Sequence, residues 1–143
     1  MLEPLEDLPA RLEALQPKDW QPLFDLIPEI EKTESFGEWM VNQPGVDGYP
    51  QFPFMAKGPL VHKFFKLVDE MEIVPAFDYM DWEEGRRMYK HSDVDIDSWT
   101  VIDVCKMFTY YIRADRFSDG ALCSAFENGQ ILRLLKHLEK LVK

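Results

Sequence analysis

The chain has 143 residues, of which 46% are hydrophobic and 13% aromatic, so it can bury the core of one globular domain spanning residues 1–143. Its formal net charge of −10 disfavours nucleic-acid binding, because an acidic surface repels phosphates. The uncharged apolar runs are shorter than the roughly 20 residues of a membrane span, and the acidic N-terminus does not resemble a signal peptide. We therefore expect a cytoplasmic protein that makes no contact with a membrane.

The charge is unevenly distributed along the chain. Residues 1–100 carry 21 acidic side chains against 9 basic ones, a net charge of −12, whereas residues 101–143 carry 5 against 7, a net charge of +2. Solubility alone explains an acidic surface of this kind. The alternative is an acidic face that binds another protein with a basic surface, since the charge split would orient such a partner.

Prolines delimit two predicted helices near the N-terminus. The first follows Asp7 as its N-cap and is stopped by Pro17, and the second begins near Asp19 and is ended or kinked by Pro28. Both helices carry apolar residues at helical spacing: Leu8, Leu12 and Leu15 in the first, and Trp20, Phe24 and Ile27 in the second.

The next segment, residues 34–55, changes from helical to β-type patterning. An extended stretch over residues 36–40 is followed by the turn-forming sequence QPGVDG and by aromatic residues in near-alternation, among them Tyr49 and Phe52. Because Pro50 and Pro53 lack a backbone N–H, the returning strand must lie at the edge of its sheet. The segment thus predicts a β-hairpin, and a long Pro/Gly-rich loop is the alternative.

The remaining helices are indicated by their caps and their apolar stripes. Gly58-Pro59 starts one helix, Asp78 caps another, and a third begins near Ser98. A turn at Asn128-Gly129 precedes the last helix. That helix has an apolar face of Ile131, Leu134, Leu135, Leu138 and Leu141. The sequence therefore predicts a mainly α, single-domain helical bundle of about five to seven helices with a small β-hairpin near residues 34–55.

No motif for a metal, a cofactor or a known catalytic reaction is present. The alternating acids of HSDVDIDS resemble a calcium loop, but Ser98 replaces the required glycine and Val104 the bidentate Glu. The three histidines lack ligand spacing, and the signature motifs of serine hydrolases, zinc proteases and nucleotide-binding enzymes do not occur. Cys105 and Cys123 lie among apolar residues, which predicts buried thiols in a reducing compartment.

The most unusual segment places five ionisable residues among apolar ones: Arg113, Asp115, Arg116, Asp119 and Glu127. At about 100° per residue, Asp115 falls in the apolar stripe of the helix that starts near Ser98. A lone buried carboxylate is costly, so Asp115 needs partners. The N–H groups of a following helix capped by Ser118 or Asp119, together with either arginine, could supply them.

Two interpretations of this segment remain open. In the first, the five charges stabilise the corner where successive helices meet, because helix ends leave backbone groups without partners. In the second, the arginines bind an anionic ligand and the carboxylates orient it or act as acid and base. A ligand pocket would also use large aromatic side chains. The candidates are Trp39, Tyr49, Phe52 and Trp82.

Three motifs support a family resemblance: FGEW at residues 36–39, FDYMDW at 77–82 and RADRFSDGALCSAFENGQI at 113–131. In this order they resemble a group of small bacterial proteins classed as a domain of unknown function. Tyr79 departs from the family pattern, which has Trp after Phe-Asp, but remains aromatic. The resemblance implies a single bacterial cytosolic domain and no particular activity.

The function that we expect from the sequence is non-catalytic. The protein would be a soluble bacterial protein that binds another protein through its acidic face. The alternative is a small-ligand or hydrolytic pocket formed by the aromatic residues and the charged corner at residues 113–127. Neither interpretation requires a cofactor, and the sequence does not predict the oligomeric state.

Overall fold

Helices form most of the chain in the computed structural model, which describes residues 3–41, 48, 53–91 and 94–143. The α-helices are α1 (Leu8–Ala14), α2 (Pro17–Phe24), α3 (Leu26–Lys32), α4 (Pro59–Glu70), α5 (Glu83–His91), α6 (Val101–Phe117), α7 (Ala121–Glu127) and α8 (Gln130–Val142). The strands are β1 (Glu3–Pro4), β2 (Gly37–Met40), β3 (Phe54–Lys57) and β4 (Pro75–Ala76). The prediction of a mainly α fold with a small hairpin is confirmed.

The prolines of α2 and α3 act differently from the prediction. Pro17 does not only follow the end of α1; it is the first residue of α2, where its missing N–H is harmless. Pro28 lies inside α3, and the break comes three residues earlier at Asp25. Since a proline cannot donate to the carbonyl four residues before it and its ring crowds that carbonyl, the interruption falls upstream of Pro28.

The helix expected from Asp78 begins later. Residues 79–81 form a short 3-10 helix, and α5 starts only at Glu83. Between them Trp82 adopts an extended conformation with ψ of 100°. Its ring then lies so close to Gly85 that a Cβ at that position would be 2.3 Å from it. The early part of the predicted helix is therefore replaced by a bend that folds Trp82 back over α5.

The core is built around α6. This helix begins with a capping box, in which the Thr100 hydroxyl accepts the Asp103 N–H and the Asp103 carboxylate accepts the Thr100 N–H. Its buried side chains face α7 and α8 on one side and the ring of Phe64 from α4 on the other. Phe64 packs edge-on against Phe108 and Phe126, with ring centroids 5.1 and 5.5 Å away. These ring contacts hold α4, α6 and α7 together through apolar packing alone.

The hairpin consists of β2 and β3, paired antiparallel with Gly37 opposite Lys57 and Met40 opposite Phe54. The described part of the returning strand runs from Phe54 to Lys57, and Pro53 precedes it. Tyr49, Pro50 and Phe52, which the prediction also placed on this strand, lie outside the described residues.

The alternation of hydrogen-bonded and non-hydrogen-bonded positions along the hairpin determines which of its backbone groups point outward. The Gly58 N–H donates to the Phe36 carbonyl at 2.8 Å. In an antiparallel pair the bonded positions alternate, so Glu38 and Met40 bond to β3. The backbone groups of Gly37 and Trp39 consequently point away from β3, toward the outer edge of β2.

Among the described residues, none of the helices combines the length and the apolar composition that are needed to cross a bilayer.

Candidate functional site

The side chain of Asp115 lies at the junction between α6 and α7 and is only 11% exposed. One carboxylate oxygen accepts the N–H groups of Gly120 and Leu122, at 3.2 and 3.1 Å. The other lies 2.9 Å from the Nζ of Lys57 on β3. The carboxylate thus accepts hydrogen bonds from two amides at the start of α7 and forms an ion pair with one ammonium group from the hairpin.

The turn that permits this geometry depends on Gly120. Its φ is 93°, in the left-handed region, and this places its own amide and that of Leu122 within reach of Asp115. A Cβ on Gly120 would also lie 3.1 Å from the ring of Trp39. The glycine therefore serves both the turn and the close approach of the hairpin.

Two more carboxylates of this segment attach the hairpin through its backbone. The Met55 N–H on β3 donates to Asp119 at 2.7 Å, and the Phe36 N–H that precedes β2 donates to Glu127 at 3.0 Å. Asp115, Asp119 and Glu127, which we call the corner acids, thus each accept at least one main-chain amide. Sequence reasoning missed the hairpin as their partner because the contacts span 64 and 91 residues.

Burial and charge act in opposite directions on Lys57. Partial burial alone would lower its pKa, but the hydrogen bond and the negative charge of Asp115 outweigh this effect, so the pKa of Lys57 is raised. The ammonium group therefore stays charged at neutral pH. Burial also raises the pKa of the nearby Cys123 thiol, whose S–H lies 3.6 Å from the Phe36 carbonyl.

The prediction of buried thiols is confirmed, since both Cys105 and Cys123 are buried and neither forms a disulfide. Burial raises the pKa of Cys105 as well. A thiol that is shielded from solvent and stays protonated is a poor nucleophile.

Neither predicted arginine partner contacts the corner acids. The guanidinium group of Arg113 lies over the ring of Tyr79, 5.2 Å from its centroid, and Arg116 is exposed. Near Arg113, the pKa of Asp78 is raised, because its carboxyl group shares a hydrogen bond with Asp81 and lies close to the negative charge of Asp81. The cation that pairs with Asp115 is Lys57, which sequence reasoning did not include because it lies 58 positions earlier in the chain.

Of the four predicted pocket aromatics, the two that the structure describes contact different parts of the molecule. Trp39 is 51% exposed and lies against Gly120 at the corner. Trp82 packs instead against Trp99, with ring centroids 5.4 Å apart, and beneath the Nζ of Lys106 at 4.4 Å. Tyr49 and Phe52 lie outside the described residues. A single pocket that includes both tryptophans is therefore not formed.

A groove of about 240 Å³ runs between α4 and α6, on the side of the corner where Lys57 meets Asp115. Its polar groups include His62 and Arg116, and apolar side chains such as Phe65 form its walls. A second depression of about 220 Å³ shares Phe65 and Arg116 with it. His62 and Phe65 were missed by sequence reasoning, and the only signal was that Phe65, an apolar residue, lies outside the buried stripe of α4.

The outer edge of β2 carries a different surface, which we call the acidic strip: Glu34, Glu38, Trp39 and Val41, all exposed. Trp39 and Val41 are each 51% exposed. Large apolar side chains at this exposure, in a segment that also carries exposed carboxylates, are typical of a contact surface rather than of a core.

The described residues contain no group of three or more His, Cys, Asp or Glu side chains that could hold a metal ion.

No curated protein and no solved structure matches the chain. A family model does match, and it covers residues 15–143. The chain therefore belongs to a family of unknown function, DUF6508.

Proposed function

We propose that the protein is a non-catalytic bacterial cytoplasmic protein that acts by binding another protein, and that its acidic surface recognises a basic surface on that partner. One observation carries the proposal: the acidic strip combines two exposed apolar side chains, Trp39 and Val41, with the exposed carboxylates of Glu34 and Glu38. Tryptophan is enriched among residues that dominate binding energies, and the surrounding charges accelerate and select the encounter.

The chemistry of the corner acids supports a non-catalytic role. A general acid or base must exchange a proton with a substrate that it can reach. Asp115 already accepts two amides and pairs with Lys57, while Asp119 and Glu127 hold the hairpin. Using any of them as a base would remove the negative charge that strengthens a contact with β3 or with the residue before β2.

Cross-linking in the native host tests the proposal. A photoreactive group placed at Val41 should capture a defined protein, and the Glu34→Gln/Glu38→Gln double variant should lose that capture at low salt. The matched control, Glu6→Gln/Glu13→Gln, neutralises two exposed acids at the start of the chain and should capture normally. Equal capture by both double variants, or salt-independent capture, would contradict recognition through the acidic strip.

The groove between α4 and α6 favours a second candidate, a binding site for a small anion with an apolar portion. Arg116, His62 and Lys57 lie near one another in an otherwise acidic protein, and Phe65 and Ile112 offer apolar contact. Isothermal titration with octanoate, and with octanol as the neutral control, tests this candidate. We expect binding of octanoate only, abolished by Arg116→Gln; equal binding of both compounds would exclude an anion site.

A further inference from the structure

We propose that β2 binds its partner by strand addition: an extended segment of the partner, with Lys or Arg alternating with apolar residues, pairs with the outer edge of β2. This inference rests on the proposed function and specifies its geometry and the class of partner. The juxtaposition that carries it is an open row of main-chain donors and acceptors next to Glu38 and Trp39.

The open row follows from the register of the hairpin. Since Phe36, Glu38 and Met40 bond toward β3, the N–H of Gly37 and both backbone groups of Trp39 point outward. Within the described part of the chain these three groups have no hydrogen-bond partner. The Gly37 carbonyl accepts the Ser35 hydroxyl at 3.1 Å, which covers the beginning of the edge only. An unpaired strand edge is a template for another strand.

The opposite edge of the hairpin is blocked. Met55 lies across from Trp39 and its N–H also points outward, but this N–H donates to Asp119 at 2.7 Å. The carboxylate of Asp119, which lies in the turn before α7, occupies that edge. An added strand would therefore have to displace a charge-assisted hydrogen bond. As far as residues 3–41, 48, 53–91 and 94–143 are concerned, the hairpin thus has one protected edge and one open edge, and only the open edge belongs to the acidic strip.

Side-chain alternation defines the chemistry of the occupant. Trp39 shares a face with Gly37, Met55 and Lys57, the face that lies against Gly120, whereas Glu38 projects from the other face. A paired strand would place its own residues beside these two in alternation. Apolar residues would extend the contact with Trp39, and Lys or Arg on the other face would compensate Glu38. A basic, alternating segment satisfies both faces at once.

A second copy of this chain fits the edge poorly. Two β2 strands in antiparallel contact would bring Glu38 of each copy into the same small ribbon, in a chain with a net charge of −10. Like charges across paired strands are destabilising. The acidity that attracts a basic segment therefore disfavours self-pairing.

A peptide titration followed by two-dimensional NMR of ¹⁵N-labelled protein tests the inference. The probe is a blocked hexapeptide of alternating Lys and Val, and the matched probe has the same side chains but N-methylated amides, so that it cannot donate. We expect the first peptide to slow hydrogen exchange at the Gly37 and Trp39 amides about tenfold or more, with the Met55 amide unaffected. The methylated peptide should bind at least about tenfold more weakly.

A charge reversal adds a readout that a structural defect would not produce. Glu38→Lys should prefer an alternating Glu and Val peptide over the Lys and Val peptide, whereas the control Glu13→Lys, on the exposed face of α1, should keep the original preference. A preserved hairpin is verified by an unchanged Met55 amide signal.

Different outcomes separate this inference from the broader proposal. Equal binding of the methylated and unmethylated peptides, with unchanged Gly37 and Trp39 amides, overturns strand addition while recognition of a basic partner stands. Absence of peptide binding at low salt also overturns strand addition, and the cross-linking experiment then decides whether a partner binds the acidic strip. Concentration-dependent dimers that protect the same two amides overturn the proposed occupant.

Discussion

The corner acids and the carboxylates of the acidic strip are the same chemical groups in two different situations. Asp115, Asp119 and Glu127 each lie within 3.2 Å of a main-chain amide, and together they hold the hairpin against α6 and α7. Glu34 and Glu38 lie on the same hairpin segment and are exposed, as Asp119 and Glu127 also are. They differ in that no main-chain amide of the described residues donates to them. The first set stabilises the position of β2 and β3, and the second remains available to a partner.

The difference shows that the identity of a charged residue does not reveal its role, whereas the location of its partner does. A carboxylate that accepts backbone amides belongs to the architecture, because losing it leaves polar groups unpaired. A carboxylate in open solvent contributes little to stability and can be used for recognition. Substitutions in the two sets of carboxylates should therefore differ in their effect on stability.

Asp115→Ala should lower the free energy of unfolding by about 3 kcal/mol, since it removes the acceptor of two amides and leaves Lys57 without its counter-ion in a mostly buried place. Chemical denaturation measures the change. Asp115→Asn retains an acceptor but not the charge, so its loss should be smaller. A loss below about 0.5 kcal/mol for the alanine variant, the range of ordinary surface substitutions, would place Asp115 in the second class.

Gly120→Ala should cost about 2 kcal/mol, because the left-handed φ of 93° is strained for alanine and the new Cβ would press on Trp39. Gly129→Ala is the matched control: its φ is 83°, but a Cβ there meets no atom within 4 Å. It should cost only about 1 kcal/mol. Equal losses in thermal denaturation would mean that the hairpin does not press on the corner.

Asp119→Asn and Glu127→Gln should each cost about 1 kcal/mol, because the side-chain amide keeps an acceptor oxygen but loses the charge that strengthens the hydrogen bond of a partly exposed group. The effect should be local, so the Met55 amide exchanges faster in the first variant and the Phe36 amide in the second. Hydrogen exchange by NMR resolves the two sites. Faster exchange throughout α6 in either variant would contradict a role confined to the hairpin.

The raised pKa of Lys57 predicts a dependence on alkaline pH. A cation whose pKa is higher in the folded state stabilises the fold below its ordinary pKa of 10.5, and this contribution disappears as the pH rises through the folded value. The difference in unfolding free energy between the wild type and Lys57→Met should therefore shrink above pH 10.5. A difference that grows over that range would reverse the assigned sign.

Glu34→Gln/Glu38→Gln should change the unfolding free energy by less than about 0.5 kcal/mol, because these carboxylates are exposed. The same pair of changes should nevertheless abolish low-salt capture of the partner. Denaturation and capture measured on one preparation separate the two effects. A loss of stability comparable to that of Asp115→Ala would remove the distinction between the two sets of acids.

Local signals explain how much of this could be predicted from the sequence. The cap and first turn at Gly58-Pro59 and the left-handed turn at Gly129 are confirmed, since each depends on residues within a few positions of one another. The apolar face of α8 is confirmed from Ile131 to Leu138, whereas Leu141, near the end of the helix, is 40% exposed. The apolar stripe that was predicted for the helix containing Asp115 is buried in α6 at Val104, Cys105, Phe108 and Ile112, for the same reason.

Contacts between distant segments could not be predicted in the same way. The pairing of Lys57 with Asp115 and of Met55 with Asp119 depends on where β3 meets the α6–α7 junction, and no local pattern encodes that placement. The start of α5 was misplaced because Asp78 is a good cap, while the tertiary packing of Trp82 against Trp99 and Gly85 requires a bend there. The open edge of β2 likewise depends on a register that the sequence leaves undetermined.

Amide hydrogen exchange of the unliganded protein tests the central claim most directly, because one spectrum compares both sets of carboxylates through the amides beside them. The account predicts that the amides of Phe36, Met55, Gly120 and Leu122, which donate to the corner acids, exchange slowly. The Gly37 and Trp39 amides should exchange at rates close to those of an unstructured peptide. Protection of Gly37 and Trp39 equal to that of Met55 would contradict an open edge, and fast exchange of Phe36 and Met55 would contradict the role of the corner acids.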